Sequence, residues 1–218
     1  MVTVLVPAYN EQNNIKQTII GLKSISEVKK ICVIDDGSKD STYDQAKMAS
    51  PDVLISNSKN LGKGSALNRL IKYVSESELV ALADGDLGNS SRELKKLIVP
   101  VKSGKCEMAI ASFPSGAKKG GLGITQQVAR KGLKLTTGMS LLFPLSGQRV
   151  MTHNVFSLST PFAKGFGVEM ALNKTAAKNE FIVLEVETNM THNYTKNDFK
   201  GYLHRGRQCC SIIRQLVR

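Results

Sequence analysis

Apolar runs alternate with amphipathic stretches along the first half of the chain. The runs rich in Val, Ile and Leu are predicted strands, at residues 2–8, 30–38, 52–58, 78–86 and 106–113. Between them, apolar residues recur three or four positions apart, as at Ile15, Ile19 and Leu22, which predicts helices. Asn10 is the predicted N-cap of the first helix. Alternating strands and helices predict right-handed βαβ units, and therefore an α/β fold with a mostly parallel central sheet.

The second half has a looser pattern. Residues 125–138 and 168–179 are predicted helices, and residues 180–188 alternate like a strand. Three segments rich in glycine, proline and polar residues are predicted loops: 114–124, 143–151 and 160–167. The length of 218 residues suits one domain.

Polar residues and glycines follow four of the predicted strands where each one ends, in segments 7–11, 35–38, 60–64 and 84–86. Ligands of parallel α/β sheets bind beyond the carboxyl ends of the strands. We therefore expect these four strand ends to meet in one crevice that binds a ligand.

Two carboxylates, Asp84 and Asp86, follow the fourth predicted strand with only Gly85 between them. Neighbouring like charges repel and resist desolvation, so a positive group is expected beside them. Carboxylate oxygens at a strand end suit Mg²⁺ or Mn²⁺, which also accept phosphate oxygens as ligands. A simple polar turn is the alternative interpretation of this motif.

Asp36 and Lys63 follow the second and third predicted strands. Asp36 could accept hydrogen bonds from a uracil or a ribose, and Lys63, between two glycines, could closely approach a base or a phosphate. Taken singly, each also suits an acidic surface turn or a helix cap.

The blocks VPAYNEQNNI, VIDDGSKDST, NLGKGSALN and ADGD together resemble the family-2 glycosyltransferases of the GT-A fold, over residues 1 to about 113. The resemblance implies one Rossmann-like GT-A domain over residues 1–218, with a donor half (1–113) and an acceptor half (114–218) that ends in a helix. In such enzymes the first two blocks and the lysine hold the uridine of a UDP-sugar, and the DxD block holds the metal and the ribose or diphosphate. The matching positions are Pro7, Ala8, Tyr9, Glu11, Asp36, Lys63, Asp84 and Asp86.

The segments PLSGQR and GFGVEMAL are similar, less closely, to the acceptor side of glucosyl-3-phosphoglycerate synthases and polyprenyl-phosphate glycosyltransferases. This resemblance implies that His192 completes the metal site with Asp86; a surface histidine is the alternative. Gln148 and Arg149 are candidates for acceptor contact. Glu169 could be a general base, an anchor for sugar or acceptor, or a glutamate favoured by the helix dipole.

Many inverting members of the family carry a second acidic pair that supplies the base, and residues 114–218 contain none. The stereochemistry therefore stays open, because the similarity to phosphoglycerate synthases implies retention whereas the general family pattern implies inversion.

Charge is distributed unevenly along the chain, whose net charge is +12. Residues 1–100 hold 13 Lys and Arg against 12 Asp and Glu, whereas residues 101–218 hold 17 against 6. The basic second half favours an anionic partner, although a solvated basic surface would carry the same charge. The tail, 197–218, has the pattern of a basic amphipathic helix that either lies on an anionic membrane or packs on its own domain or a second subunit.

No apolar run is long enough to span a bilayer, and no basic stretch precedes the first one. The four cysteines show no CxxC spacing, which favours a reducing compartment, and Cys32 and Cys106 are predicted buried thiols. We expect a cytoplasmic protein, with contact at the inner membrane face left open.

The features together predict a metal-dependent glycosyltransferase that moves a sugar from UDP-glucose or UDP-N-acetylglucosamine to an anionic acceptor, a phosphorylated small molecule or a lipid phosphate. A nucleotidyltransferase is a weaker alternative, because segment 7–14 lacks the glycine and arginine of a triphosphate loop. A basic non-enzymatic binding module is weaker still; nucleic acid is not the expected partner, because aromatic residues make up only 6% of the chain.

Overall fold

The computed structural model describes residues 1–75, 79–113, 123–163 and 167–191. Its strands are β1 (Val2–Ala8), β2 (Val28–Asp35), β3 (Val53–Ser56), β4 (Leu79–Leu82), β5 (Met108–Ser112), β6 (Arg149–Met151) and β7 (Val183–Glu187). Its helices are α1 (Ile15–Lys23), α2 (Thr42–Met48), α3 (Lys63–Leu70), α4 (Leu94–Lys102), α5 (Gly123–Thr137), α6 (His153–Ser159) and α7 (Val168–Lys178). Short 3-10 helices span Ile71–Tyr73 and Gly88–Glu93.

The strands form one seven-stranded sheet in the order β3-β2-β1-β4-β6-β5-β7. All neighbours pair in parallel except β6, which runs antiparallel to both β4 and β5. The α/β class with a mostly parallel sheet is therefore confirmed. The chain turns back between β1 and β4, since β2 and β3 extend one way and the later strands the other, and a crevice opens at such a reversal.

Helices cover both faces of the sheet because successive strand residues point to opposite sides. Val4 of β1 belongs to the apolar cluster under α1, α2 and α4, and the next residue, Leu5, belongs to the cluster under α3, α5, α6 and α7. Cys32 and Cys106 are buried free thiols, as predicted.

Two local predictions were wrong. The predicted loop 143–151 contains β6, which is only three residues long and too short to show a strand alternation. The first helix begins at Ile15 after Asn14, whereas Asn10 adopts a left-handed conformation with φ of 56°. Asn10 therefore shapes the loop after β1 rather than capping the helix.

Candidate active site

An ion network around Lys63 lies at the carboxyl edge of the sheet. Lys63 opens α3, Asp84 follows β4, and Glu169 lies in the first turn of α7. The Lys63 Nζ atom is 2.7 Å from Asp84 Oδ1 and 2.8 Å from Glu169 Oε1. The positive group expected beside Asp84 is therefore, in this structure, the protein's own lysine.

The charge of Lys63 is stabilised by this arrangement. Burial alone lowers the pKa of the amine, but the charges of Asp84 and Glu169 outweigh burial and raise the pKa above its ordinary value of 10.5. The Lys63 side chain is 19% exposed, so the two carboxylates share one ammonium in a largely enclosed space. Lys63 thus joins the strand-end motif to α7.

We expect Lys63→Met to lower the free energy of unfolding at pH 8 by about 2 kcal/mol, because two partly buried carboxylates lose their counter-ion. An amine whose pKa is raised in the folded state stabilises the protein fully below its unfolded pKa. This stabilisation is lost as the pH rises through the folded pKa. The difference between wild type and Lys63→Met should therefore narrow above pH 10.5 in urea titrations. Lys47→Met, at an exposed position, is the control; an equal loss in both variants would contradict the prediction.

The segment before β6 closes over the other side of Asp84. Gln148 donates from Nε2 to Asp84 Oδ2 at 2.7 Å, and the Ser146 hydroxyl donates to Gln148 Oε1 at 3.3 Å. A Cβ atom on Gly147 would lie 2.3 Å from Asp84 Oδ2 and 2.7 Å from Lys63 Nζ. Only a glycine therefore fits against the ion pair without displacing it.

Arg149 was predicted to contact an acceptor, and its placement contradicts that prediction. Its side chain is 0% exposed. Arg149 and Met151 point to the same side of β6, which packs under α3, α5, α6 and α7. The guanidinium donates to the carbonyls of Pro144 and Ser146 and to Asn173 Oδ1. Burial lowers the pKa of Arg149 to about 10, so the group stays charged at neutral pH.

Gln148 is also 0% exposed. Its amide supports Asp84 from within the protein, and so this conformation gives Gln148 no surface for an acceptor.

The turn that carries Asp86 is held from α1 by Thr18. The Thr18 hydroxyl donates to the Gly85 carbonyl at 2.9 Å and accepts from the Gly88 amide at 2.8 Å. These bonds fix the backbone on both sides of Asp86, whose side chain is half-buried. Sequence reasoning missed Thr18, although a threonine among the apolar positions Ile15 and Ile19 of a helix was an available signal.

Asp36 anchors the glycine loop that leads into α3. Its Oδ1 atom accepts from Asn57 Nδ2 at 2.5 Å and from the Leu61 amide at 3.0 Å, and its Oδ2 atom accepts from the Gly62 amide at 2.8 Å. Arg69 in turn donates to Asn57 Oδ1. Asp36 therefore fixes the backbone directly before Lys63.

The loop after β1 is joined to the loop after β2. The Ala8 carbonyl accepts from the Asp36 amide at 2.8 Å, and the Glu11 amide donates to the Thr42 hydroxyl at 2.7 Å. Tyr9, which follows Pro7 and Ala8, is 40% exposed beside this junction. The first two sequence blocks thus lie side by side at the carboxyl edge of the sheet.

The segment after β7 approaches the Asp86 turn. The Thr191 amide donates to the Ser90 hydroxyl at 3.0 Å, and the Asn189 amide donates to Glu93 Oε2 at 3.1 Å. His192 comes next but lies outside the described residues, as do the tail and most of loop 114–124. Within the described ranges, no group of three or more His, Cys, Asp and Glu side chains is placed to hold a metal.

The family model "Glycosyl transferase family 2" matches residues 3–163 of the chain. The protein belongs to glycosyltransferase family 2. Members of this family are glycosyltransferases, which sets aside the nucleotidyltransferase and the non-enzymatic binding module.

Two relatives of this family 2 member are 31% identical to it. One is the glucosyl-3-phosphoglycerate synthase of Mycobacterium tuberculosis, matched over 78% of this chain and 59% of its own length. The other is the undecaprenyl-phosphate 4-deoxy-4-formamido-L-arabinose transferase of Salmonella choleraesuis, matched over 47% of this chain and 34% of its own length. The chain thus spans between a third and three fifths of the length of these relatives.

The fold is shared with a solved glucosyl-3-phosphoglycerate synthase from Mycobacterium tuberculosis in complex with Mn²⁺, UDP and phosphoglyceric acid. The TM-score is 0.80 at 24% identity, and the match covers 99% of this chain and 78% of that one. This likeness confirms the GT-A fold. Across the ranges that the structure describes, no helix has both the length and the apolarity needed to cross a bilayer.

Proposed function

We propose that this family 2 enzyme transfers a sugar from a UDP-sugar, UDP-glucose or UDP-N-acetylglucosamine, to an anionic, phosphorylated acceptor with the help of Mg²⁺ or Mn²⁺. The observation that carries the proposal is the network of Lys63, Asp84, Gln148 and Glu169 beside Asp86 at the reversal point of the sheet. Such a place binds nucleotides in doubly wound folds.

The donor nucleotide would bind between the first two blocks and the network. A carboxylate offers about four acceptor sites, and Asp36 accepts three hydrogen bonds, two from the glycine loop and one from Asn57, so that one acceptor site is left for the N3–H of a uracil. The exposed ring of Tyr9 is available for stacking on the base. The proposed donor-binding residues are Pro7, Ala8, Tyr9, Glu11, Asp36, Lys63 and Asp84.

The residues beside the network suit a hard divalent cation. Asp84 is bound by Lys63 and Gln148, and we assign the metal to Asp86, the second carboxylate of the DxD motif. Asp86 and His192 would hold the ion, with diphosphate oxygens and water completing its coordination. The bound ion would stabilise the negative charge that develops on the leaving diphosphate.

Glu169 would face the sugar or the acceptor as an anchor. Its carboxylate is already engaged by the Lys63 ammonium at 2.8 Å, so we assign it the role of an anchor rather than that of a base. A phosphate nucleophile is already ionised and needs no base, so this arrangement suits a phosphorylated acceptor. The two relatives are named for a phosphoglycerate product and an undecaprenyl phosphate, which supports the same class of acceptor.

Contact with a membrane surface and formation of a homodimer both depend on the tail, residues 197–218, which lies outside the described residues. Both stay predictions, as does a cytoplasmic location.

A melting experiment tests the donor proposal. Saturating UDP with Mn²⁺, at about 100 times its dissociation constant, stabilises the native state by about 2.7 kcal/mol, which for this length raises the melting temperature by about 5–10 °C. UDP without Mn²⁺ should give a smaller shift, and GDP none. An equal shift with GDP, or no shift with UDP, would contradict the proposed donor.

A further inference from the structure

Two fully buried polar side chains, Arg149 and Asn173, lie behind the active site between β6 and α7. Both are 0% exposed in the described structure. Burying a guanidinium is costly, and apolar residues of similar volume are often as stable or more stable at such positions. The burial of these two side chains therefore indicates a role beyond filling the core.

The two side chains fasten one short segment, residues 144–148. Arg149 donates to the Ser146 carbonyl at 2.9 Å and to the Pro144 carbonyl at 2.8 Å, and Asn173 Nδ2 donates to the same Pro144 carbonyl at 2.9 Å. Arg149 also donates to Asn173 Oδ1 at 2.6 Å, which closes the cluster.

Each partner is linked to a residue of the ion network. Asn173 follows Glu169 by four positions on α7, so the two side chains lie on the same side of the helix, one turn apart. Arg149 directly follows Gln148, which donates to Asp84. Glu185 holds the two residues just before this segment by accepting from the amides of Leu142 and Phe143.

We propose that Arg149 and Asn173 are positioning residues that fasten segment 144–148 to α7, and thereby hold Gln148 against Asp84 and Glu169 against Lys63. The planar guanidinium suits this task, since its fixed fork of donors reaches three acceptors in set directions. The consequence for sugar transfer rests on the proposed function, whereas the consequence for the geometry of Lys63 does not.

The first test measures the Lys63 amine without any ligand. Acetic anhydride is applied at 10 °C, and acetylation of each lysine is followed by peptide mass spectrometry. Loosening the contacts of the amine with Glu169 and Asp84 should expose it to the reagent, so Asn173→Ala should speed acetylation of Lys63 by about tenfold relative to wild type. Arg149→Lys, which keeps the charge but loses the fork, should act alike and serves as a second variant if Asn173→Ala fails to fold.

Ile31→Ala is the matched control, because Ile31 is buried in β2 away from the network, so that its loss lowers stability through a cavity alone. Its Lys63 should react at the wild-type rate. An unchanged Lys63 rate in the folded Asn173→Ala and Arg149→Lys proteins, or an equal rise in Ile31→Ala, would overturn the inference.

The second test measures the affinity for UDP with Mn²⁺ by calorimetry at a temperature where every variant is folded. Asn173→Ala should weaken binding about tenfold. In the Gln148→Ala background the same change should cost less, because part of its effect passes through Gln148. If the factors by which the two single variants weaken UDP binding multiply in full in the double variant, the inference is overturned. If the wild type does not bind UDP, the proposed function is wrong. The acetylation rates would then still test whether Arg149 and Asn173 are positioning residues.

Discussion

Asp86→Ala is expected to abolish sugar transfer while leaving the protein folded. Asp84 is bound by Lys63 and Gln148, and the proposed metal ligand is the carboxylate of Asp86. Without that ligand, charge on the leaving diphosphate goes unstabilised, and we expect kcat/KM to fall by about a thousandfold or more, about 4 kcal/mol of transition-state stabilisation. The measurement is UDP release from UDP-glucose and UDP-N-acetylglucosamine with phosphorylated acceptors in the presence of Mn²⁺.

Asp44→Ala is the control for Asp86→Ala. Asp44 is an exposed carboxylate in the first turn of α2, so its removal tests the general effect of losing one negative charge. Circular dichroism should show both variants folded. Transfer by a folded Asp86→Ala protein at the Asp44→Ala rate would refute the assignment of the metal to Asp86.

Gly147→Ala is expected to weaken UDP binding by about a hundredfold, about 2.7 kcal/mol. The new methyl group would overlap Asp84 Oδ2 and Lys63 Nζ, which are the ends of side chains and can shift. The fold therefore tolerates the substitution, whereas the Asp84 carboxylate and the Lys63 ammonium must shift from the positions in which they line the proposed donor site. Titration with UDP and Mn²⁺, together with a melting curve, should show a large loss of affinity and a small loss of stability.

Gly138→Ala should show the opposite pattern. Gly138 has a φ of 76°, where an alanine is strained by about 1–2 kcal/mol, and its new Cβ atom would touch nothing within 4 Å. We expect a lower melting temperature with unchanged UDP binding. Wild-type affinity in Gly147→Ala would show that the close packing over Asp84 is irrelevant to the donor.

The sheet could be predicted from sequence wherever local pattern decides the structure. The run Val2–Ala8 is apolar except for Thr3, and the turn at Asp84 follows a buried strand, so the convergence of strand ends on Lys63 and Asp84 could be expected. β6 could not be predicted, because its three residues have no period of their own and are held by pairing with β4 and β5.

The supporting contacts of the site were beyond sequence reasoning for a related reason. Thr18 meets Gly85 across 67 positions, and Lys63 meets Glu169 across 106, so no spacing in the chain reveals either pair. Arg149 is an example of the error that results. An arginine beside a glycine and a glutamine is a reasonable candidate for a ligand contact until it is known to which face of the sheet its side chain points. The polar residues of this segment indicated that it lies near the site. Which of their side chains point into the site depends on the alternation of side chains along β6, which the sequence does not reveal.

The reversed direction of β6 has an evolutionary consequence. Because β6 runs against β5, the chain leaves the sheet after Ser112 and re-enters it at Arg149 on the same edge. The ends of the connection between β5 and β6, at Ser112 and Arg149, are therefore fixed by the sheet. Changes of sequence or length between α5 and Phe143 would leave the pairing of β5 with β6 and the contacts of Gly147 and Gln148 with Asp84 in place. Under the proposed function, the acceptor side could therefore diverge while the donor side is retained.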